Sequence, residues 1–299
     1  AGALLLGLAS ATSAGVVHDE TTDGELSGDP NAPTPLAFEL GSNTVSGTVV
    51  NASPRDYITF TLPPGTVLTA IQLPVYQFPN GNPGNTGYHS LAAGPTSFFP
   101  NLATGANFLG GDHIFGFQAG TDVLPGLASA AQNGTGFPSP LAAGTYTYQI
   151  QQTGPEVTDY QLDFMVECVG AATSVPYGAG KPGTNGVPVL SSNAPPVLGG
   201  ASDLTISNGL AGAGPVLLFV GFSSTSLPFD GGALLVNPAL TLTLPPLGPA
   251  GSLTLPAPLP PDPTLCGLSL FTQAMYADPA AGGFNQSAQT NGLQWTFGS

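Results

Sequence analysis

Basic residues are almost missing from this 299-residue chain. Arg55 and Lys181 are the only two, against 17 Asp and Glu, for a formal net charge of −15. A surface without a basic patch has no electrostatic footprint for a phosphate backbone or an anionic bilayer, which excludes nucleic acid and acidic lipid as Coulombic partners. Cysteine is equally scarce. Cys168 and Cys266 allow one disulfide in an oxidising compartment or two buried thiols, and their isolation excludes the clustered spacing of zinc and redox motifs. Of the three histidines, His18, His89 and His113, none stands in an H-E-x-x-H pattern, and no G-x-S-x-G elbow exists for a serine nucleophile. No apolar run reaches the about 18 residues that a transmembrane helix needs. No apolar stripe of helical period lasts beyond about two turns, so helices are expected to be minor.

What is present points to strands. The chain holds 42 Gly and 32 Pro, yet 41 % of it is hydrophobic. That combination suits a folded protein of short strands and many turns. "DYITFTL" alternates Ile58, Phe60 and Leu62 with Tyr57, Thr59 and Thr61. "TVLTAIQLPVY" places Val67, Thr69, Ile71, Leu73 and Val75 on one face, and "GTYTYQIQQTG" does the same with Tyr146, Tyr148 and Ile150. "DYQLDFMVEC" alternates Tyr160, Leu162, Phe164, Val166 and Cys168 with polar neighbours and Met165. Period-two patterning bounded by Gly, Pro and Asn is the signature of half-buried strands. Residues 169–200 then turn rich in Gly, Pro, Ala and Ser, and a second strand series follows, with "PVLLFVGF" apolar on both faces and expected at the centre of its sheet. The expectation is an all-β protein with one unit at 15–168 and a second at 169–299.

The opening "AGALLLGLASATSAG" is a short apolar run followed by small residues. It reads as the end of a secretory signal peptide over residues 1–14, truncated at its start, with cleavage expected after Ala11 or Ala14. The mature protein is expected to be secreted, outside the cell or on its surface.

Three segments invite a functional reading. The acids Asp19, Glu20, Asp23, Glu25 and Asp29 crowd eleven positions, with Gly24 and Gly28 among them. Calcium takes six to eight hard oxygens, so this leader is a candidate Ca²⁺ loop; the alternative is a solvated acidic leader. Tyr76, Phe78 and Tyr88 fall in an irregular aromatic stretch together with Phe98 and Phe99. Flat rings stack on sugar faces, so they are candidate ligand-binding residues, with core burial as the alternative. Finally, "PYGAGKPGTNG" contains Gly178, Gly180 and Gly183 at dinucleotide-fingerprint spacing. The fingerprint needs a helix after it, and the prolines of "TNGVPVLSSNAPPVL" forbid one. These glycines read as a tight loop opening the second unit.

The ordered segments "DGELSGDPNAPTPLAFELGSNTVSGTVV", "RDYITFTLPPGTVLTAIQL" and "LAAGTYTYQIQQTGPEVTDYQLDF" resemble the bacterial pre-peptidase C-terminal domain. The resemblance spans roughly residues 19–167 and implies a jelly-roll-like antiparallel β-sandwich borne by exported proteins. In some members an acidic segment binds calcium with help from an Asp before the "DY" strand, here Asp56. Tyr177–Thr184, "PPVLGG", "VLLFVGFSSTSLPF", "PPDPTLCGLSL" and "NGLQWTFG" resemble a C-terminal β module of exported planctomycete and myxobacterial proteins. There Cys is usual where this chain has Lys181 and common about where it has Ala233, so the resemblance implies that a usual disulfide is lost here. Cys168 and Cys266 are candidates to compensate.

Together these readings lead to two consecutive β-sandwich domains and no catalytic centre. The expected function is a non-catalytic exported accessory or surface-associated protein that binds an extracellular polysaccharide or envelope component. One alternative is a structural matrix or adhesion protein, marked by self-association without a soluble ligand. The other is a secreted hydrolase with an unrecognised site built around His113.

Overall fold

The computed structural model describes residues 15–50, 55–78, 86–97, 107–129, 134–154 and 156–299. The expected signal peptide at 1–14, and Phe98 and Phe99, lie outside the described residues. Strands dominate, and the α-helices α1 (Glu20–Asp23) and α2 (Leu124–Ala128) are about one turn each. The chain divides after Val169 into two compact units. The first includes residues 15–169 and borrows Pro261–Thr264; the second is Gly170–Pro260 with Leu265–Ser299.

The first unit packs two sheets over one core. One sheet runs β1 (Val16–Asp19), β3 (Gly41–Val49), β9 (Thr158–Cys168), β5 (Thr66–Gln77). The other runs β2 (Thr34–Pro35), β4 (Asp56–Leu62), β8 (Gly144–Gln152), β6 (Thr86–Ala93), β7 (Phe108–Phe115). Pairing is antiparallel except for β1 with β3 and β2 with β4, which are parallel. β9 follows its sequence pattern: Tyr160, Leu162, Phe164, Val166 and Cys168 are all buried. Phe38, Phe60 and Phe164 meet at the centre, with ring centroids 4.8, 5.1 and 5.6 Å apart. Offset contacts of this kind add to the area term of burial.

β5 departs from the expected single face. Its buried residues are Thr66, Leu68, Ile71, Leu73 and Tyr76, while Val67 and Val75 are only half-buried. The register against β9 shifts between Leu68 and Ala70 and again between Gln72 and Val75. Each bulge moves the following side chains to the other face, so an unbroken alternation could not hold.

In the second unit, one sheet runs β10 (Thr173–Tyr177), β20 (Gly292–Thr296), β18 (Ser269–Ala277), β13 (Val216–Gly221), β16 (Leu240–Leu244), and β19 (Ser287–Gln289) also pairs with β18. A second sheet runs β11 (Val189–Ser192), β12 (Leu204–Ser207), β17 (Leu253–Leu255), and β14 (Ser224–Phe229) forms a hairpin with β15 (Gly232–Val236). The doubly apolar "PVLLFVGF" is β13, paired on both sides. The Gly178–Gly183 stretch is a turn with no helix after it. Gly178 has φ +64° and packs on Leu235, and Gly183 bridges to Gly186. A pyrophosphate cradle at a helix N-terminus is therefore not built here.

Candidate functional site

The acidic leader folds into a hook laid across the first unit. Asp19 caps α1: its Oδ1 accepts the Thr21 N–H at 2.9 Å and the Thr21 hydroxyl at 2.7 Å. The Thr21 side chain, more than any other group, holds the Asp19 carboxyl below its usual pKa. Asp23 Oδ2 accepts the Asp19 N–H at 2.9 Å, and Asp29 Oδ1 accepts the Asn31 N–H at 2.9 Å. Glu20 is the clasp. Its Oε1 accepts the Leu26 N–H at 3.1 Å within the hook, and its Oε2 accepts the Thr48 N–H at 2.7 Å on β3. Much of the acid crowding thus serves orphan backbone donors, as capping carboxylates do.

Beneath the hook lies Asp56, at 1 % exposure, whose Oδ2 accepts the Tyr160 hydroxyl at 2.8 Å. The hook itself covers this end of β4, because the Tyr57 N–H donates to Ser27 O at 2.9 Å. Burial first, then the nearby Glu20 charge, push the Asp56 carboxyl up to about 8, against the Tyr160 hydrogen bond that lowers it; Glu25 adds to the rise. Beside it opens a cleft of about 550 Å³ whose lining includes Glu20, Glu25, Ser46, Thr48, Asp159 and Gln161. It offers carboxylate acceptors at Glu25 and Asp159, with hydroxyl and amide groups around them.

The candidate calcium ligands are placed as follows in the fold. Asp19 is the N-cap of α1, Asp23 is its last residue and turns to the Asp19 N–H, Asp29 turns into its own loop, and Glu20 and Glu25 bring their charge near Asp56. Both Glu20 oxygens already accept backbone N–H groups. Among the described residues no three His, Cys, Asp or Glu side chains are gathered to hold a metal ion. The leader is built as a hydrogen-bonded hook, with the carboxylates of Asp19, Glu20, Asp23 and Asp29 turned to backbone N–H groups.

Gly47 sets how closely the hook can sit. A Cβ there would fall 2.5 Å from Glu20 Oε2 and 2.6 Å from the Tyr160 hydroxyl. Gly47→Ala is expected to push the Glu20 clasp off β3 and raise amide exchange at Leu26 and Thr48 at least about tenfold, the cost of overpacking one methyl. Hydrogen-exchange mass spectrometry reads it directly.

The aromatic platform needs a correction. Tyr76 and Tyr88 are 2 % and 4 % exposed, and Phe78 packs partly buried against the core. Tyr76 sits edge-on to Phe78 and to His89, at centroid distances of 5.5 Å each. The Tyr76 and Tyr88 faces are spent inside the unit and offer no sugar platform, while Phe78 keeps part of its surface open. Among the described residues, the exposed phenylalanines are Phe117, Phe222, Phe229 and Phe284, at 76, 64, 37 and 97 % exposure. Nothing in the local sequence separates these from the buried ones.

The histidines have structural partners. His18 Nε2 lies 2.9 Å from Gly24 O within the hook. His89 is fully buried with Nδ1 2.8 Å from the Tyr148 hydroxyl. The His113 ring meets Tyr88 edge-on at 5.2 Å, and neighbouring Asp112 is turned to the His113 backbone N–H at 2.8 Å, not to the ring. Cys168 and Cys266 are disulfide-bonded.

One cluster escapes the sequence altogether. Lys181, 7 % exposed, donates to Asp230 O, to Gly282 O at 2.9 Å and to Asp230 Oδ2 at 3.3 Å. Asp230 also accepts from the Ser287 hydroxyl at 2.6 Å and from the N–H groups of Asn285 and Ser287. These bonds, the Ser287 hydroxyl foremost, hold its carboxyl far below the usual range. Lys181 also packs beside Gly232, next to Ala233. An ion pair therefore ties together the place where the resemblance implied a lost disulfide.

Against known proteins, the chain matches no family model and no curated sequence.

Proposed function

We propose that this chain is a non-catalytic exported accessory or surface-associated protein that holds an extracellular partner in the acidic cleft under its N-terminal hook. The observation that carries this reading is the cleft itself, where Glu25 and Asp159 stand beside Ser46, Thr48 and Gln161. Acceptors flanked by hydroxyls and an amide suit a hydroxyl-rich neutral ligand or one bearing ammonium groups. An anionic ligand is repelled, since residues 15–168 carry 13 of the 17 acids and one of the two basic residues. A neutral or amino-bearing polysaccharide fits best. The engagement of His18, His89 and Asp112 within the fold supports a binding role over a hydrolytic one.

Retention of the mature chain on insoluble polysaccharides and isolated envelopes tests this, with wild type beside Glu25→Gln/Asp159→Asn. Wild type is expected to stay on one matrix and the double variant to bind about tenfold more weakly, the loss of two charge-assisted hydrogen bonds at a wet site. Excess calcium and chelator form separate arms. Retention indifferent to both supports the cleft without a metal, and retention lost on chelation adds calcium to it. Equal retention of the variant, or none of wild type, overturns the proposal.

A further inference from the structure

We infer that β16 is a self-pairing edge through which two copies of this chain join their sheets about a two-fold axis. The inference is independent of the cleft.

An open sheet edge is a row of unpaired N–H and C=O groups, and folded proteins normally blunt it with charge, proline, a bulge or brevity. This protein does so nearly everywhere. In the first unit, β1 ends in His18 and Asp19 with a register shift, and β5 is bulged twice and contains Pro74. β2 is two residues long and contains Pro35, and β7 carries Asp112 and His113. In the second unit, β10 contains Pro176, β17 is three residues long, and β14 is bulged and contains Pro228.

β19 is covered by the backbone bridge of Gln289 to Lys181, and β11 and β15 are capped by side-chain amides. Asn291 accepts the Leu190 N–H of β11 at 3.0 Å and donates to the Leu190 carbonyl at 3.0 Å. Gln273 does the same for β15, accepting the Leu235 N–H at 2.9 Å and donating to the Ala233 carbonyl at 3.0 Å. In both cases an amide imitates one more strand.

β16 has none of these devices. Its five residues, Leu-Thr-Leu-Thr-Leu, carry no charge and no proline, and they pair with β13 without a register shift. Among the described residues nothing is bonded along its outer side. The leucines are also incompletely covered. Leu242 and Leu244 lie opposite Leu218 and Val216, on the face that buries those residues to 2 % and 0 %. Yet Leu242 and Leu244 are only half-buried, and Leu240 is 52 % exposed. One more strand would complete that face.

The occupant follows from the sequence of the edge. Leu240–Leu244 reads the same in both directions. In an antiparallel pair centred on Leu242, Leu240 meets Leu244, Thr241 meets Thr243, and Leu242 meets itself. Every cross-strand pair is then Leu–Leu or Thr–Thr, both favourable in antiparallel sheets. Such an isologous contact closes as a dimer. Charge does not oppose it, because residues 170–299 hold only four acids and one lysine, and that lysine is paired with Asp230. Pro238 and Pro245 bound the edge and limit it to this one palindrome.

The test is sedimentation of the full chain from low to high micromolar concentration, with charge placed on the exposed threonines. Wild type is expected to move from monomer to dimer. Thr241→Lys/Thr243→Lys sets ammonium groups opposite each other and is expected to weaken the dimer about tenfold or more, as is Thr241→Glu/Thr243→Glu. Mixing the two variants is expected to restore a dimer, since every ammonium group of one variant then faces a carboxylate of the other. Unchanged circular dichroism melts show that each variant folds. A wild-type chain that stays monomeric throughout, even if it takes up an unrelated extended peptide, overturns the proposal. So does a dimer that ignores the charged pairs, or a mixture that fails to associate.

Discussion

Asp56→Asn stabilises the first unit at pH 8 by about 3 kcal/mol, which at this size is a rise in Tm of about 10 °C. The Asp56 carboxyl titrates near 8 in the folded protein against an ordinary 3.8. Between those values the native state holds a proton that the unfolded chain has lost. Its stabilising contribution is fully present below pH 3.8 and disappears as pH rises through about 8. Asparagine keeps an oxygen for the Tyr160 hydroxyl and removes the charge that faces Glu20 and Glu25. The gain is therefore largest at pH 8 and shrinks toward pH 4. Six of the eight tyrosines lie in the first unit and the single tryptophan, Trp295, in the second. Near-ultraviolet tyrosine signal against tryptophan fluorescence then separates the two transitions. If a bound cation neutralises Asp56, the sign reverses: asparagine destabilises in calcium and wild type loses stability in chelator.

The second large effect comes from His89 and has the opposite slope. Complete burial pushes this imidazole down to about 3 from 6.5. Its contribution is present above pH 6.5 and lost as pH falls toward 3, because only the unfolded chain can then take up the proton. In wild type this loss overlaps the rising contribution of Asp56, and the two nearly cancel between about pH 4 and 6.5. A flat acid limb is the expected wild-type profile. In an Asp56→Asn background the cancellation ends, and acidification from pH 6.5 to 4 is expected to cost about 3 kcal/mol. Adding His89→Leu with Tyr148→Phe removes the imidazole and its hydrogen-bonded hydroxyl together, leaving neither group buried alone. That triple variant is expected to regain the flat limb. Urea titrations at a series of pH values read all three profiles.

How far the sequence reveals this protein depends on how local each cause is. β9 is legible because its alternation is unbroken from Thr158 to Cys168, and burial on one face needs nothing but that period. β5 is not, because two bulges reverse its faces, and a bulge is set by the partner strand. Tyr76 and Tyr88 look like surface rings in a Gly- and Asn-rich stretch, yet both are buried; solvent exposure belongs to the fold. The acidic leader is visible as composition, but not that Glu20 spends its oxygens on Leu26 and on Thr48, 28 residues away. Asp56 lies in an ordinary strand opening, and its shifted proton depends on the hook that covers it. Lys181 and Asp230 are 49 residues apart, with no local pattern to connect them.

Amide chemical-shift mapping reads out whether the cleft is the binding surface. The mature chain is titrated with soluble fragments of the matrix that retains it. Saturable shifts are expected at Thr21, Glu25, Ser46, Gly47, Thr48 and Gln161, and are expected to be lost in Glu25→Gln/Asp159→Asn. Shifts gathered elsewhere, or a full response in the double variant, would contradict the cleft as the binding surface.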